Sequence, residues 1–249
     1  MKYLKLILII FISYFILHSQ SNENAYKILK KIDELYKSNS SYAEVEMKIE
    51  TKHWKRTLFM KMWTEGKEKA FIRIILPKKE RGVATLKLKN QMWNYLPKTN
   101  KIIKIPPSMM MGSWMGSDFS NDDLVKEYTF IDDYTFEFTE VDNPEKDLLY
   151  ISCKPKPDVP VIWEKIIIAV NKKDLLPVWE KYYNEKGKEV RVMYFKEVKT
   201  FGKKRIPSVM ELIPLNKKGH KTTITYKKVK FDIKLDKSIF SIKNLRKRF

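Results

Sequence analysis

The alternation of Ala43, Val45, Met47 and Ile49 with Glu44, Glu46, Lys48 and Glu50 constrains this chain more than any other pattern. A period of two places the four apolar side chains on one face of a strand and the charges on the other. Similar segments recur at short spacing: Lys55 to Thr64, Lys69 to Leu76, Ala84 to Lys89, Gln91 to Leu96 and Lys101 to Ile105. Turn chemistry separates them at Glu65-Gly66-Lys67, Pro77 to Gly82, Lys89-Asn90 and Lys98-Thr99-Asn100. Beyond residue 125 the habit resumes, with strands expected at Tyr128 to Val141, Asp147 to Cys153, Ile162 to Asn171, Pro177 to Asn184, Glu189 to Thr200, Pro207 to Pro214 and Lys221 to Asp232. One amphipathic helix, Asn22 to Ser38, precedes them, with Ile28, Leu29, Ile32, Leu35 and Tyr36 at helical spacing. So many strands with so few helices predict a large antiparallel meander curled into a sheet or barrel.

Several strands are apolar on both faces, as in Leu58, Phe59, Met60, Met62 and Trp63 and again in Met92, Trp93, Tyr95 and Leu96. Such strands need cover on both sides. A candidate cover follows Pro106-Pro107, where Met109, Met110, Met111, Trp114 and Met115 are packed into seven residues ahead of Gly116. Unbranched thioethers suit irregular or changing apolar surfaces, so the segment reads either as a lid over a cavity or as a short core element. The lid reading makes Met60, Met62, Trp63, Phe71, Trp93, Tyr95, Met109, Met110, Met111, Trp114, Met115 and Phe119 the candidate lining of an apolar ligand site.

The N-terminus predicts export. Lys2 and Lys5 precede an apolar run, Leu6 to Leu17, which is short of the roughly 20 residues of a membrane span. Ser19-Gln20-Ser21 offers a small-x-small cleavage pattern, so residues 1–21 are expected to be a signal peptide and 22–249 a single domain. No lipobox cysteine follows, and the mature chain is expected to be soluble and monomeric in the periplasm. The lone Cys153 cannot form an internal disulfide.

The formal charge is +20, and removing Lys2 and Lys5 leaves +18. No arginine-rich groove motif accompanies the scattered lysines, so nucleic acid is not the expected partner. A solvated basic surface accounts for them, and attraction to anionic lipid headgroups is the functional alternative.

Enzymatic constellations are missing from the pattern. His53 and His220 lack metal-ligand spacing, Cys153 has no histidine near it in sequence, and no Gly-x-Ser-x-Gly elbow or ATP-binding loop is present. Asp118, Asp122 and Asp123 sit where a short helix begins and read as caps. No catalytic residue, metal or cofactor is expected.

Trp93-Asn94-Tyr95-Leu96-Pro97, the strand Lys101 to Ile105, the Leu76-Pro77 to Gly82 turn and the run Met115-Gly116-Ser117-Asp118-Phe119-Ser120-Asn121-Asp122-Asp123-Leu124 together resemble the LolA-like outer-membrane lipoprotein-sorting proteins. The resemblance implies a half-open antiparallel β-barrel whose concave face is covered by an N-terminal helix and a short helical lid. It also implies a periplasmic carrier that holds acyl chains of lipoproteins or related lipids, taking cargo from an inner-membrane exporter towards an outer-membrane acceptor. An accessory envelope protein working beside such an exporter is the alternative. The family's cavity arginine on the second strand region has no counterpart around Thr64 to Lys67.

Overall fold

The computed structural model describes residues 23–125, 130–159 and 161–247. The expected signal peptide and its cleavage site lie outside them. Thirteen strands occupy the thirteen expected places: β1 (Ser40–Glu50), β2 (Lys55–Glu65), β3 (Lys69–Leu76), β4 (Ala84–Leu88), β5 (Gln91–Leu96), β6 (Lys101–Lys104), β7 (Tyr134–Phe138), β8 (Leu148–Pro155), β9 (Lys165–Asn171), β10 (Pro177–Tyr183), β11 (Glu189–Phe201), β12 (Lys204–Pro214) and β13 (Lys221–Phe231). The described helices are short apart from α1, residues 23–34; the others are α2 (Asn121–Val125), α3 (Phe130–Asp133) and α4 (Ile242–Leu245). Among the described residues the order is open, because β6 and β7 each pair on one side only.

The chain forms two compact units, each drawn from two separate stretches, so no linker marks their boundary. The larger unit comprises Glu34–Tyr128 and Glu189–Phe249. Its nine strands run in the order β6-β5-β4-β3-β2-β1-β13-β12-β11. At its centre β1 pairs along its whole length with β2, and from Ser41↔Phe231 to Glu50↔Lys221 with β13. A bulge between Glu44 and Val45 shifts that second register. The polar face of β1 neutralises part of the lysine excess, since Glu46 lies 3.4 Å from Lys48 and 3.3 Å from Lys227, and Glu44 lies 3.8 Å from Lys228.

The smaller unit holds α1 and the strands β10-β9-β8-β7. Ala25, Ile28, Leu29 and Ile32 are the buried stripe of α1, and Tyr26 meets Phe136 of β7 with ring centroids 6.4 Å apart. The helix stops at residue 34 rather than 38. Lys204 Nζ donates to the carbonyls of Glu34 (2.9 Å) and Lys37 there, a cation on terminal carbonyls, and Ser38-Asn39-Ser40 favours turns over helix.

One strand expectation needs correction. Tyr128 to Val141 was expected to be continuous strand, yet residues Phe130–Asp133 are the helix α3 and β7 begins at Tyr134. Asp132 and Asp133 are poor strand residues. The helical turn is held instead by Asp33, which accepts the Phe130 N–H at 3.3 Å, and by Lys156 Nζ, which donates to the Ile131 and Asp132 carbonyls at 2.8 and 2.9 Å.

Candidate functional site

Strand parity builds one continuous apolar face in the larger unit. Ala43, Val45, Met47 and Ile49 of β1 join Leu58 and Met60 of β2, Ile72 and Ile74 of β3 and Met92 of β5 in a single buried cluster. The segment after β6 lies on it. Trp114, only 2% exposed, and Ile105 are full members of the cluster, while Met110, Met115 and Leu124 pack against it. The lid is therefore two 3₁₀ turns, Pro107–Met109 and Trp114–Gly116, followed by α2.

Four polar contacts fasten this segment across the sheet. Trp114 Nε1 donates to Thr85 Oγ1 of β4 at 3.1 Å. The Arg56 guanidinium at the start of β2 donates to the Met115 carbonyl and lies 3.4 Å from Glu80. Asp118 accepts from Thr222 Oγ1 of β13 at 2.8 Å. Asp123 receives both Arg191 nitrogens of β11, at 2.8 and 2.9 Å, in the parallel fork that makes arginine–carboxylate pairs directional. Gly116 adopts φ +71°, and a Cβ there would lie 3.1 Å from Arg56 Nη2, so glycine permits both the turn and the arginine's approach.

Asp123 has a second role. Its carboxylate accepts the Ser120 N–H at 2.8 Å while Ser120 Oγ accepts the Asp123 N–H at 3.1 Å, a reciprocal capping box for α2. Burial alone would push the Asp123 carboxyl upward. The adjacent Arg191 charge and the Ser120 hydrogen bonds outweigh it and hold the carboxyl below its ordinary range.

A pocket of about 140 Å³ opens on the same face. Its floor includes Ala43, Met62, Tyr226 and Val229, which also belong to or pack against the lid-covered cluster. Tyr36 and Tyr226 stack at one wall with centroids 5.6 Å apart.

The structure divides the twelve candidate lining residues. Met60, Met62, Met110, Trp114 and Met115 come together on the lid face. Phe119 is buried beneath the lid backbone, its carbonyl accepting the Trp114 N–H at 2.8 Å. Met109 and Met111 point outward, each 55% exposed. Trp63, Phe71, Trp93 and Tyr95 lie on the opposite face, in a cluster closed by Phe240, Leu245 and Ile239 from the C-terminal segment. Period two separates Met62 from Trp63 and Met92 from Trp93, so strands apolar on both sides do not contribute both sides to one cavity. Arg56, Thr85, Arg191 and Thr222 were not anticipated. Ser120-x-x-Asp123 is a readable capping box, whereas the strand partners of the lid are set by tertiary pairing alone.

Asp118 lies 3.4 Å from His220 Nδ1 and also accepts the Thr222 hydroxyl, so the hydroxyl is bonded to the carboxylate and not to the imidazole. Cys153 is buried, and burial together with Glu180 and Asp33 pushes its thiol far up, away from the thiolate form. Among the described residues no three His, Cys, Asp or Glu side chains are placed to hold a metal.

Comparison with known proteins fits this architecture. A DUF1329 family protein from Desulfovibrio piger superposes with a TM-score of 0.80 at 22% identity, covering 90% of this chain and 99% of its own. An outer membrane lipoprotein-sorting protein domain from Vibrio parahaemolyticus gives 0.76 at 19% identity, with 92% and 100% covered. A LolA superfamily protein from Nitrosomonas europaea gives 0.72 at 19% identity, with 88% and 98% covered. A search among curated proteins returned no match. A protein-family model whose description reads "-like: Uncharacterized protein" matches residues 66–247, most of the described chain, including the lid and its partners on β11 and β13. The chain belongs to that family, and its fold is mainly β, an unclosed antiparallel sheet similar to that of the LolA superfamily protein.

Proposed function

We propose that this protein is a periplasmic carrier that holds the acyl chains of lipoproteins or related lipids between the lid and the apolar face of β1, β2, β3 and β5, and passes them towards the outer membrane. The observation that carries the reading is the lid itself: a Met- and Trp-bearing segment seated on a predominantly apolar sheet face beside a pocket that continues the same face. A cavity of about 150 Å³ accommodates a ligand of benzene size, so the pocket of about 140 Å³ is too small for an acyl chain while the lid is seated. Binding then requires Met110, Trp114 and Met115 to leave the space that lipid fills. Each buried methylene contributes about 0.8 kcal/mol and needs no polar code, which suits a lining of Ala, Val, Ile and Met. With no ATP-binding loop in the sequence, release is driven by partner proteins or by an affinity difference between donor and acceptor, for which an inner-membrane exporter and an outer-membrane acceptor are the expected counterparts.

Trp114 is the reporter. Replacing Trp54, Trp63, Trp93, Trp163 and Trp179 with phenylalanine isolates its emission, with circular dichroism as the check on repacking. Titration with a long-chain lysophospholipid below its micelle concentration should shift the Trp114 emission and raise its accessibility to a soluble quencher. Independently confirmed lipid binding with no change in either signal would leave the segment a static part of the core. Absence of any lipid binding by the folded wild-type chain would remove the carrier reading.

A further inference from the structure

Between Glu80 and Asp118 the sequence holds no aspartate or glutamate, while Arg81, Lys87, Lys89, Lys98, Lys101 and Lys104 fall within that span. It builds β4, β5, β6 and the first part of the lid. The acids at its two borders are engaged: Glu80 lies 3.4 Å from Arg56, and Asp118 accepts the Thr222 hydroxyl. Strand register carries part of this charge to the lid's own side of the sheet. Thr85, which accepts from the Trp114 indole, stands opposite Asn94, and Asn94 stands opposite Ile103 of β6. Residues opposite one another across antiparallel strands share a face, as do residues two apart along a strand, so Ile103, Lys101 and its partner Leu96 all lie on the lid side. Ile103 is 42% exposed and Leu96 38%, and the outward Met109 and Met111 stand on the lid a few residues beyond the end of β6. Exposed apolar side chains among lysines suit the boundary of an anionic bilayer, where the one kind enters the headgroup layer and the other meets phosphates. A partner protein's strand is disfavoured at the same edge, because the lysines at both ends of β6 and Pro106-Pro107 after it guard against strand pairing.

We propose that the outer side of the lid and the β6 edge dock this protein on an anionic membrane surface. Met109, Met111 and Ile103 enter the headgroup layer, and Lys98, in the turn between β5 and β6, and Lys101 meet lipid phosphates. The assignment goes beyond the carrier reading and is independent of what the lid covers. It sets the bilayer against the segment whose inner side chains, Met110 and Trp114, close the apolar face, so docking acts on the element that has to move.

The test is flotation of the protein, purified after export, with vesicles of phosphatidylcholine alone and of phosphatidylcholine and phosphatidylglycerol in equal parts. The wild type should bind the anionic vesicles, come off as salt is raised, and leave the neutral vesicles bare. Lys98→Gln with Lys101→Gln should weaken partitioning by about fivefold for each lysine, and Met109→Ser with Met111→Ser by about tenfold, with circular dichroism unchanged. Lys234→Gln with Lys237→Gln removes the same charge from the segment that covers the opposite face, and should leave partitioning within about twofold of the wild type. An equal loss in the two lysine variants assigns the attraction to net charge and overturns the placement, as does full binding by the methionine variant. Wild-type protein that ignores anionic vesicles overturns the proposal and leaves an acidic protein as the partner for this surface. Wild-type protein that floats yet binds no lysophospholipid keeps the docking surface and removes only the carrier reading.

Discussion

Asp123 shows how much one side chain is asked to do. It caps α2 and is bound by Arg191 through both nitrogens, in a site where the two side chains are 9% and 8% exposed. Removing one member of a buried ion pair leaves the other charge uncompensated, at a cost of about 3–5 kcal/mol. Asp123→Asn should therefore lower the urea midpoint by that equivalent, whereas an exposed pair such as Lys199–Glu197 should be worth at most about 1 kcal/mol. The pH dependence has a definite sign. Because the folded carboxyl lies below its ordinary value of 3.8, its contribution is complete above that value and is lost as pH falls through the lower folded one. The stability difference between wild type and Asp123→Asn should shrink on acidification below about pH 4, which urea titrations at stepped pH will show.

At the scale of elements, the lid sets a threshold that can be put in methylenes. Opening it over Trp114 and Met115 breaks the hydrogen bond to Thr85 and the charge-assisted one from Arg56, together about 2–4 kcal/mol. At about 0.8 kcal/mol per buried methylene, roughly three to five methylenes only offset that opening. Affinity should thus be negligible for six-carbon chains and rise steeply through twelve to sixteen carbons. Arg56→Gln should lower the threshold, measured as the shortest chain in a lysophospholipid series that shifts Trp114 emission. The strands themselves were legible in the sequence because period two and Gly, Pro and Asn turns are local signals, and β3 and β5 were located to the residue. The inward and outward sorting of Met109, Met110 and Met111 was not, since a single 3₁₀ turn has no repeat from which to infer a face. Nor were the two faces of β2 and β5 told apart: Met62 and Trp63 are equally apolar, and only the C-terminal segment packing over Trp63 and Trp93 shows that they serve different sides.

For the molecule as a whole, the opposite face of the larger unit is closed by its own chain end. Arg73 of β3 is 1% exposed and donates to the carbonyls of Asn244 (2.6 Å), Leu245 (3.2 Å) and Lys247, gathering the end of α4 onto the sheet. Burial draws its guanidinium down to about 10, still charged at neutral pH. Phe240 fills the space above Phe71, Leu86 and Tyr95. Phe240→Ala should cost about 3–5 kcal/mol in thermal or urea unfolding. Acyl-chain affinity measured on the folded fraction should be unchanged, because the lost contacts lie across the sheet from the lid. A parallel loss of affinity would show that the two faces are not energetically separate.

The pairing of β1 with β13 also bears on when this protein can fold. Ser40 Oγ donates to the carbonyl of Ile233, 193 positions further along, and the central strand of the larger unit has no second neighbour until β13 arrives. At about 5–20 residues per second of synthesis, that partner appears roughly 10–40 s after β1 does. Loop closure over such a span comes before any contact rewards it, so throughout that interval β1 has β2 beside it but lacks the ladder to β13. For a chain exported as proposed above, that delay favours the extended form that passage through a membrane channel requires.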